Sequence, residues 1–285
     1  MLYAYAFYRK EMRFKMNIFL YIIIFTMGTL FGSFYSLAVY RIPNKIDIIK
    51  THSFCPNCKH KLGFWELIPV WSYIFLGGKC KNCKQKIRPR YIILEILSGL
   101  VFILIAYGLK INVYNLNLEI VIKFSFIVLY LIAIFIIAGI DNERKKVERS
   151  VLYYGIVISC MYIIYLCIMA KTSIYRYVMY LVILIILLFI DALIQKKKAK
   201  DSYVIDTIIF ILIMCINTGF IITLFTCIIV AVIIILNYVF NLLKNKINKS
   251  KKTNIYVLKN TKYIYLLCLV NTIIYFLHLI NICKL

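Results

Sequence analysis

Acidic residues and histidines are the scarce components of this sequence. Its 285 residues include 11 Asp and Glu and three His, against 35 Lys and Arg, for a formal net charge of +24. Two of the histidines, His52 and His60, fall in a polar segment beside cysteines, and His278 lies in an apolar run. No Ser-His or Cys-His arrangement is indicated. Acid–base chemistry would therefore have to come from a small number of carboxyls.

Extended polar stretches are also few. Apolar residues make up 64% of the chain and the mean hydropathy is +0.88, whereas soluble domains are about 45–50% apolar. Most of the apolar runs approach the roughly 20 residues needed to cross a bilayer. We therefore predict an all-α polytopic membrane protein with about eight transmembrane helices. The runs are 18–38, 92–109, 120–140, 151–169, 177–194, 204–216, 220–243 and 263–282.

The first run resembles a signal peptide in its basic start but is not followed by a small-residue cleavage site. We interpret it as the first transmembrane helix, in which Gly28, Gly32 and Ser33 occupy close-packing positions. The run 204–216 is short and reaches spanning length only if its helix begins near Asp201.

Basic residues concentrate in the loops that follow the odd-numbered runs, namely 40–91, 141–150, 195–203 and 244–262. The opposite loops carry only Lys110, Lys171 and Arg176. This asymmetry predicts that the four basic loops face the cytoplasm. Basic residues ahead of the first run conflict with this orientation, and we hypothesise that translation starts at Met16.

The positive charge thus reflects orientation and lipid contact, and it does not indicate a nucleic-acid partner. Four aromatic residues in the polar segment are expected to be interfacial anchors rather than base-stacking platforms. They are Phe64, Trp65, Trp71 and Tyr73.

Two CxxC pairs stand in the polar segment, Cys55-Pro-Asn-Cys58 and Cys80-Lys-Asn-Cys83. Each tight turn directs two sulfurs towards one metal ion, and two such turns together provide four thiolates in the arrangement typical of structural zinc. A cytoplasmic position keeps these thiols reduced, which favours metal over disulfide. We therefore predict a structural zinc ion held by Cys55, Cys58, Cys80 and Cys83. The six other cysteines are expected to act as small hydrophobic residues.

Two aspartates are predicted at the cytoplasmic membrane edge. Asp141 directly follows an apolar run, and Asp201 precedes the run that opens at Val204. Two facing carboxyls beside hydrocarbon favour sharing one proton, the state that an aspartyl protease requires. Asp191 and Asp206 are alternative second acids. Each aspartate could instead be a charge at a helix end, with Arg144 or Lys145 as the partner of Asp141.

Several blocks between Gly32 and Glu95, in fixed order, resemble the N-terminal half of the bacterial prepilin peptidase family. They are Gly32-Ser-Phe34, Val39-Tyr-Arg-Ile-Pro43, the two CxxC pairs, Leu67-Ile-Pro-Val-Trp-Ser-Tyr73 and Ile87-Arg-Pro-Arg-Tyr91. The resemblance implies a membrane aspartyl protease that cleaves the leader peptides of type IV prepilins or pseudopilins. We expect an N-terminal segment with the first helix (1–39), a cytoplasmic zinc-binding insert (40–91) and a membrane peptidase domain (92–285).

The resemblance also implies the catalytic residues. The family's first catalytic aspartate follows Ile, as in Ile140-Asp141, and the second stands in a Gly-x-Gly-Asp motif that helix-by-helix alignment places on Lys198-Ala-Lys-Asp201. Here lysines replace both glycines. The alternative is therefore a catalytically degenerate relative that binds pilins or acts as a scaffold.

Many members of the family also methylate the new N-terminus, which would require S-adenosylmethionine. The sequence contains no glycine-rich methyl-donor loop. This activity is thus implied by the resemblance alone, with the zinc-bearing insert, Glu66 and Glu95 as its expected neighbourhood.

Overall fold

Helices form nearly all of the regular structure. The computed structural model describes residues 2–144, 147–169, 174–196, 202–247 and 263–282, and these ranges contain no β-strand. Eight long helices coincide with the eight apolar runs, which confirms the predicted all-α polytopic fold. They are α1 (Leu2–Arg41), α3 (Arg90–Gly108), α4 (Leu118–Arg144), α5 (Arg149–Ile168), α6 (Ile174–Lys196), α7 (Ser202–Thr218), α8 (Phe220–Ile247) and α9 (Tyr263–Ile282). Between α1 and α3 lie a single 3₁₀ turn (Phe64–Glu66) and the short helix α2 (Trp71–Phe75).

Five of the helices are long and apolar enough to cross a membrane. These spans are Glu11–Arg41, Arg90–Gly108, Leu118–Arg144, Arg149–Ile168 and Phe220–Asn237. The other three apolar helices are shorter over the residues that are described, at Tyr175–Ile190, Ile205–Thr218 and Ile264–Ile280. The chain is therefore a multi-pass membrane protein.

The chain divides into two compact units. The first comprises Met1–Val128 and Leu279–Leu285, and the second comprises Leu129–His278. In the first unit, α1 and α3 pack as an antiparallel pair. A Cβ atom on Gly28 would lie 2.7 Å from the Cα of Gly99, and one on Gly32 would lie 2.7 Å from the Cα of Glu95. Both glycines therefore occupy close-packing positions, as predicted, because any larger side chain would separate the helices.

Within the second unit, α7 is the central helix and packs against α5, α6 and α8. Its side chains Phe210, Ile213 and Met214 are almost completely buried. Gly155 of α5 permits the close approach of Ile213. A Cβ atom on Gly155 would lie 3.2 Å from Cδ1 of Ile213. The helix α7 begins at Ser202 and has 17 residues, so it extends the run 204–216 at both ends but remains among the shorter apolar helices.

Candidate functional site

The four cysteines of the two CxxC pairs come together. Their sulfurs all lie within 4.8 Å of one another, with 3.8 Å between the Sγ atoms of Cys55 and Cys83 and 3.9 Å between those of Cys58 and Cys80. A Zn–S bond of about 2.3 Å in a tetrahedron separates the ligand sulfurs by about 3.8 Å. The donor set and its geometry therefore fit a structural zinc ion.

Each cysteine pair is formed by the same backbone turn. In the first, the N–H of Lys59 donates to Cys55 O at 2.9 Å, and in the second the N–H of Lys84 donates to Cys80 O at 3.1 Å. Both lysines have left-handed backbone angles, φ 58° and φ 59°. An antiparallel bridge closes each turn, between Phe54 and Lys61 in the first and between Lys79 and Lys86 in the second. The two turns are thus repeated structures 25 residues apart.

The contacts around the sulfurs are reciprocal between the two turns. The side-chain amide of Asn57 donates to the Sγ of Cys83 at 3.7 Å, and that of Asn82 donates to the Sγ of Cys58 at 3.8 Å. A backbone hydrogen bond from Gln85, followed by the Asn57 amide, lowers the pKa of the Cys83 thiol to about 6. Hydrogen bonds that favour a thiolate suit a sulfur that binds a metal.

Arg41 anchors the insert to the end of α1. Its side chain is only 4% exposed, and its guanidinium donates to four backbone carbonyls, those of Asp47, Ile48, Thr51 and His52, at 2.7–3.2 Å. A buried guanidinium needs several acceptors, and the chain after α1 supplies them by curling around it. Arg41 belongs to one of the family blocks, Val39-Tyr-Arg-Ile-Pro43, but no role was predicted for it. Its position three residues after an apolar run was the available signal.

Asp141 lies in the last turn of α4 and is completely buried. The apolar run ends at Ile140 in the sequence, but the helix continues to Arg144. Its Oδ2 accepts a hydrogen bond from the backbone N–H of Tyr265 at 3.1 Å. Tyr265 is the third residue of α9, so its N–H has no acceptor within its own helix. The first turn of a helix is suited to a carboxylate, because its N–H groups point outwards and the helix dipole is positive there.

Two further contacts extend the pairing of α4 with α9. The Cys268 thiol lies 3.6 Å from Ile134 O, and the Tyr130 hydroxyl donates to Asn271 Oδ1 at 3.0 Å. Residues 141, 134 and 130 of α4 contact residues 265, 268 and 271 of α9, respectively, so the two helices are antiparallel. The end of α4 and the start of α9 therefore lie together, which agrees with the prediction that the loops 141–150 and 244–262 share one side.

The other predicted acids have different outcomes. Asp201 lies outside the described residues, and so does the side chain of Asp191, whose backbone is in α6. Asp206 is the fifth residue of α7, and its side chain is 5% exposed. Asp141 and Asp206 are thus two buried carboxyls within the second unit. An ionisable side chain in an apolar helix is costly to bury and marks a functional position by default.

Comparison with known proteins finds similarity mainly in the N-terminal part of the chain. Residues 26–109 match the bacterial peptidase A24 N-terminal domain. A prepilin leader peptidase/N-methyltransferase of Vibrio cholerae is 31% identical over 154 residues, which cover 51% of this chain and 57% of the relative. The proteins of the same name from Bacillus subtilis and Klebsiella pneumoniae are 41% identical over 80 residues and 33% identical over 90 residues.

The extent of these similarities is limited. The Bacillus subtilis match covers 28% of this chain and 32% of the relative, and the Klebsiella pneumoniae match covers 30% and 40%. The chain therefore spans between about a third and just over half of the length of these relatives. No solved structure shows a significant similarity to the chain. The resemblance inferred from the cysteine turns and their flanking blocks is confirmed.

Proposed function

We propose that this chain, which belongs to the prepilin peptidase family through residues 26–109, is a membrane aspartyl endopeptidase. Its substrates are type IV prepilins or pseudopilins, and it removes their leader peptides at the cytoplasmic face of the membrane. One observation supports this most strongly: the Asp141 carboxyl is completely buried at the end of an apolar helix and is oriented by a main-chain N–H of α9. A helix-ending charge with no further role would be expected to reach solvent.

The proposed chemistry needs two carboxyls that share a proton. The ionised carboxyl removes a proton from a water molecule, whose oxygen attacks the scissile carbonyl carbon. The protonated carboxyl transfers its proton to the carbonyl oxygen, which becomes a hydroxyl of the tetrahedral intermediate. As the C–N bond breaks, the carboxyl that took the proton from water gives it to the leaving nitrogen, and the other carboxylate takes a proton back from a hydroxyl of the intermediate. The products are the free leader and a pilin with a new N-terminal amine.

Asp141 supplies one carboxyl in this proposal, and the start of α7 supplies the other. Helix-by-helix comparison with the family selects Asp201, which immediately precedes α7. Burial selects Asp206, because a 5% exposed carboxyl has the environment that favours sharing a proton. Lys198 and Lys200 flank Asp201 in the sequence and would oppose protonation of its carboxyl. Both assignments give the same reaction, and substitution distinguishes them.

The substrates proposed here have a short leader followed by a long apolar segment. Such a segment would enter among the transmembrane helices and bring the scissile bond to the membrane edge, where Asp141 lies in the last turn of α4. The zinc-braced insert then serves as a cytoplasmic element that meets the leader. Zinc has a structural role in this scheme, since four cysteine ligands leave no open coordination position for a water molecule.

We also propose N-methylation of the new N-terminus as a second activity, because the relatives are named as leader peptidases and N-methyltransferases. S-adenosylmethionine would be the methyl donor. Glu66 and Glu95 are the acids of the insert neighbourhood, and both accept backbone hydrogen bonds, from Gly63 and Val70 respectively. Mass spectrometry of the mature pilin N-terminus tests this activity separately from cleavage.

The decisive experiment is coexpression with a prepilin, with processing measured by the mass shift of the pilin. We expect wild type to process the substrate and Asp141→Asn to lower the rate by at least about 100-fold, the lower end of acid–base contributions. Asp201→Asn and Asp206→Asn test the two candidates for the second acid at the start of α7. Asp191→Asn tests the remaining candidate, in α6. Glu143→Gln is the matched control, because Glu143 is an exposed acid two residues after Asp141.

Three results would contradict parts of this proposal. Unprocessed pilin with wild type as well as with the variants would favour the degenerate, pilin-binding alternative. Full activity of Asp141→Asn would exclude an aspartyl mechanism at this site. Loss of cleavage in Asp141→Asn and Asp191→Asn, with activity retained in Asp201→Asn and Asp206→Asn, would move the second acid to α6.

A further inference from the structure

Large aromatic side chains of the insert are exposed on one surface. Phe64, Trp65 and Phe75 are 75–80% exposed, and Trp71 and Ile74 are more than half exposed. We call the four aromatic side chains of this group the aromatic surface. Exposed aromatic clusters of this kind mark a binding surface rather than ordinary surface composition.

The aromatic surface is contiguous. Trp71 and Phe75 are four residues apart in α2, so their rings lie on the same face of the helix, with ring centres 6.0 Å apart. Phe64 and Trp65 pack edge to face at 5.6 Å. Trp65, Trp71 and Phe75 line one open groove of about 560 Å³, with Lys81 at its edge. The rings therefore form a single platform with a basic rim.

The position of α2 along the spanning helices indicates its depth. The N–H of Val70, the residue before α2, donates to Glu95 Oε2 at 2.8 Å. Glu95 is the sixth residue of α3, about 7 Å along the helix from its start. The Ser33 side chain of α1 hydrogen-bonds to the same carboxyl. The start of α2 thus lies beside the spanning helices α1 and α3, inside the level at which α3 begins.

The segment that follows the aromatic surface is basic. Six exposed basic residues follow it in the sequence: Lys79, Lys81, Lys84, Lys86, Arg88 and Arg90. Glu66 also lines the groove, but its Oε2 accepts the Gly63 N–H at 2.8 Å and lies 3.3 Å from His60 Nε2. Basic residues close to an anionic leaflet are attracted to its headgroups.

We propose that the aromatic surface is a lipid-binding surface, which inserts its rings between the headgroups and acyl chains of anionic phospholipids. Lys81 contacts a headgroup phosphate at the edge of the groove. Aromatic rings with a basic rim are suited to this interface, because the rings tolerate both its apolar and its polar side. The insert is thereby clamped to the bilayer at α2 as well as through α1 and α3. This inference does not depend on the proposed peptidase activity.

The chain contains two tryptophans, Trp65 and Trp71, and both belong to the aromatic surface. Their fluorescence therefore reports on this surface alone. The full-length protein is reconstituted into phosphatidylcholine nanodiscs with a minority of phosphatidylglycerol, in which one lipid carries bromine near the headgroup end of its acyl chains or near the chain terminus. Trp71→Phe isolates the emission of Trp65, and Trp65→Phe isolates that of Trp71.

For both variants we expect blue-shifted emission, strong quenching by bromine near the headgroup end, weaker quenching by terminal bromine and little quenching by aqueous acrylamide. Emission that acrylamide quenches and bromine does not would show that the surface faces water and would overturn the proposal. Blue-shifted emission that neither reagent quenches would mean that a protein surface, such as a second copy of the chain, covers the rings, and would overturn it equally.

A separate quenching experiment tests the preference for anionic lipid. With bromine placed on phosphatidylglycerol alone, quenching should exceed that from the same amount of brominated phosphatidylcholine, and Lys81→Gln should reduce the excess. Lys50→Gln is the matched control, since Lys50 is an exposed lysine of the insert that does not line the groove. Equal quenching by the two brominated lipids in wild type would refute the role of charge.

Discussion

The four-cysteine centre and the buried carboxyl of Asp141 are built in opposite ways. All four sulfurs come from residues 55–83, and each turn is closed by hydrogen bonds within its own few residues. The N–H that orients Asp141 belongs to Tyr265, 124 residues further along the chain. The first site is encoded locally and the second by the packing of distant helices. Sites of the first kind can be recognised from spacing, whereas sites of the second kind depend on the whole fold.

The largest expected effect concerns the local site. Cys80→Ser removes a zinc ligand, and structural zinc contributes about 10–16 kcal/mol in small zinc domains. We expect zinc content to fall from about one per chain to well under one, and protease cleavage within the insert to accelerate. Elemental analysis and limited proteolysis of purified protein measure both. Cys160→Ser, at a cysteine of α5 outside the cluster, should retain the metal, and full zinc content in Cys80→Ser would refute the assignment.

Arg41→Met should have the next largest effect, also within the insert. The substitution leaves four carbonyl groups without their guanidinium donor, and a hydrogen bond to a charged group contributes about 1.5–3 kcal/mol. We expect faster hydrogen–deuterium exchange at residues 42–53, with α1 itself unchanged. Lys50→Gln, in the same loop, serves as the control. Unchanged exchange in Arg41→Met would show that the loop is held by other contacts.

Tyr265→Pro tests the long-range site. Proline removes the N–H that Asp141 accepts and is tolerated in the first turn of a helix, whereas Tyr265→Ala removes the same side chain and keeps the N–H. A hydrogen bond to a charged group is worth about 1.5–3 kcal/mol, so we expect kcat for prepilin cleavage to fall by roughly 10-fold to 100-fold in the proline variant only. Equal rates in the two variants would mean that this hydrogen bond does not position Asp141.

The smallest expected effect lies further along the same pair of helices. Tyr130 and Asn271 share a hydrogen bond of 3.0 Å, and the Asn271 amide also lies within 3.4 Å of the hydroxyls of Thr218 and Thr226. A double-mutant cycle of Tyr130→Phe and Asn271→Ala should give a coupling free energy of about 0.6 kcal/mol, the average for such bonds in membranes. Unfolding in detergent micelles measures it. Additive effects of the two substitutions would argue against a stabilising pair.

The local features were predictable because short-range patterns specify them. The eight helices followed from apolar run lengths, and the zinc site from two CxxC spacings. Gly28 and Gly32 were recognised as contact positions from residue size alone. Hydrogen bonds across long separations were not predictable, so neither the contact of Tyr265 with Asp141 nor the carbonyl ring around Arg41 was foreseen. The short helix α2 was also missed, because five residues are too few for a helical period to appear.

The sequence by itself determined that this chain is a polytopic membrane protein with a four-cysteine centre, because run length and ligand spacing are read residue by residue. Only the tertiary structure decided that Asp141 is buried against the first turn of α9, that Asp206 is a second buried acid and that the insert presents its two tryptophans on one surface. The two buried acids lie among helices that are distant in the sequence, and in a membrane interior such meetings depend on packing and hydrogen bonding between helices rather than on the period of any one of them. The two tryptophans are close in the sequence, but their common surface depends on α2, which is too short to show a helical period.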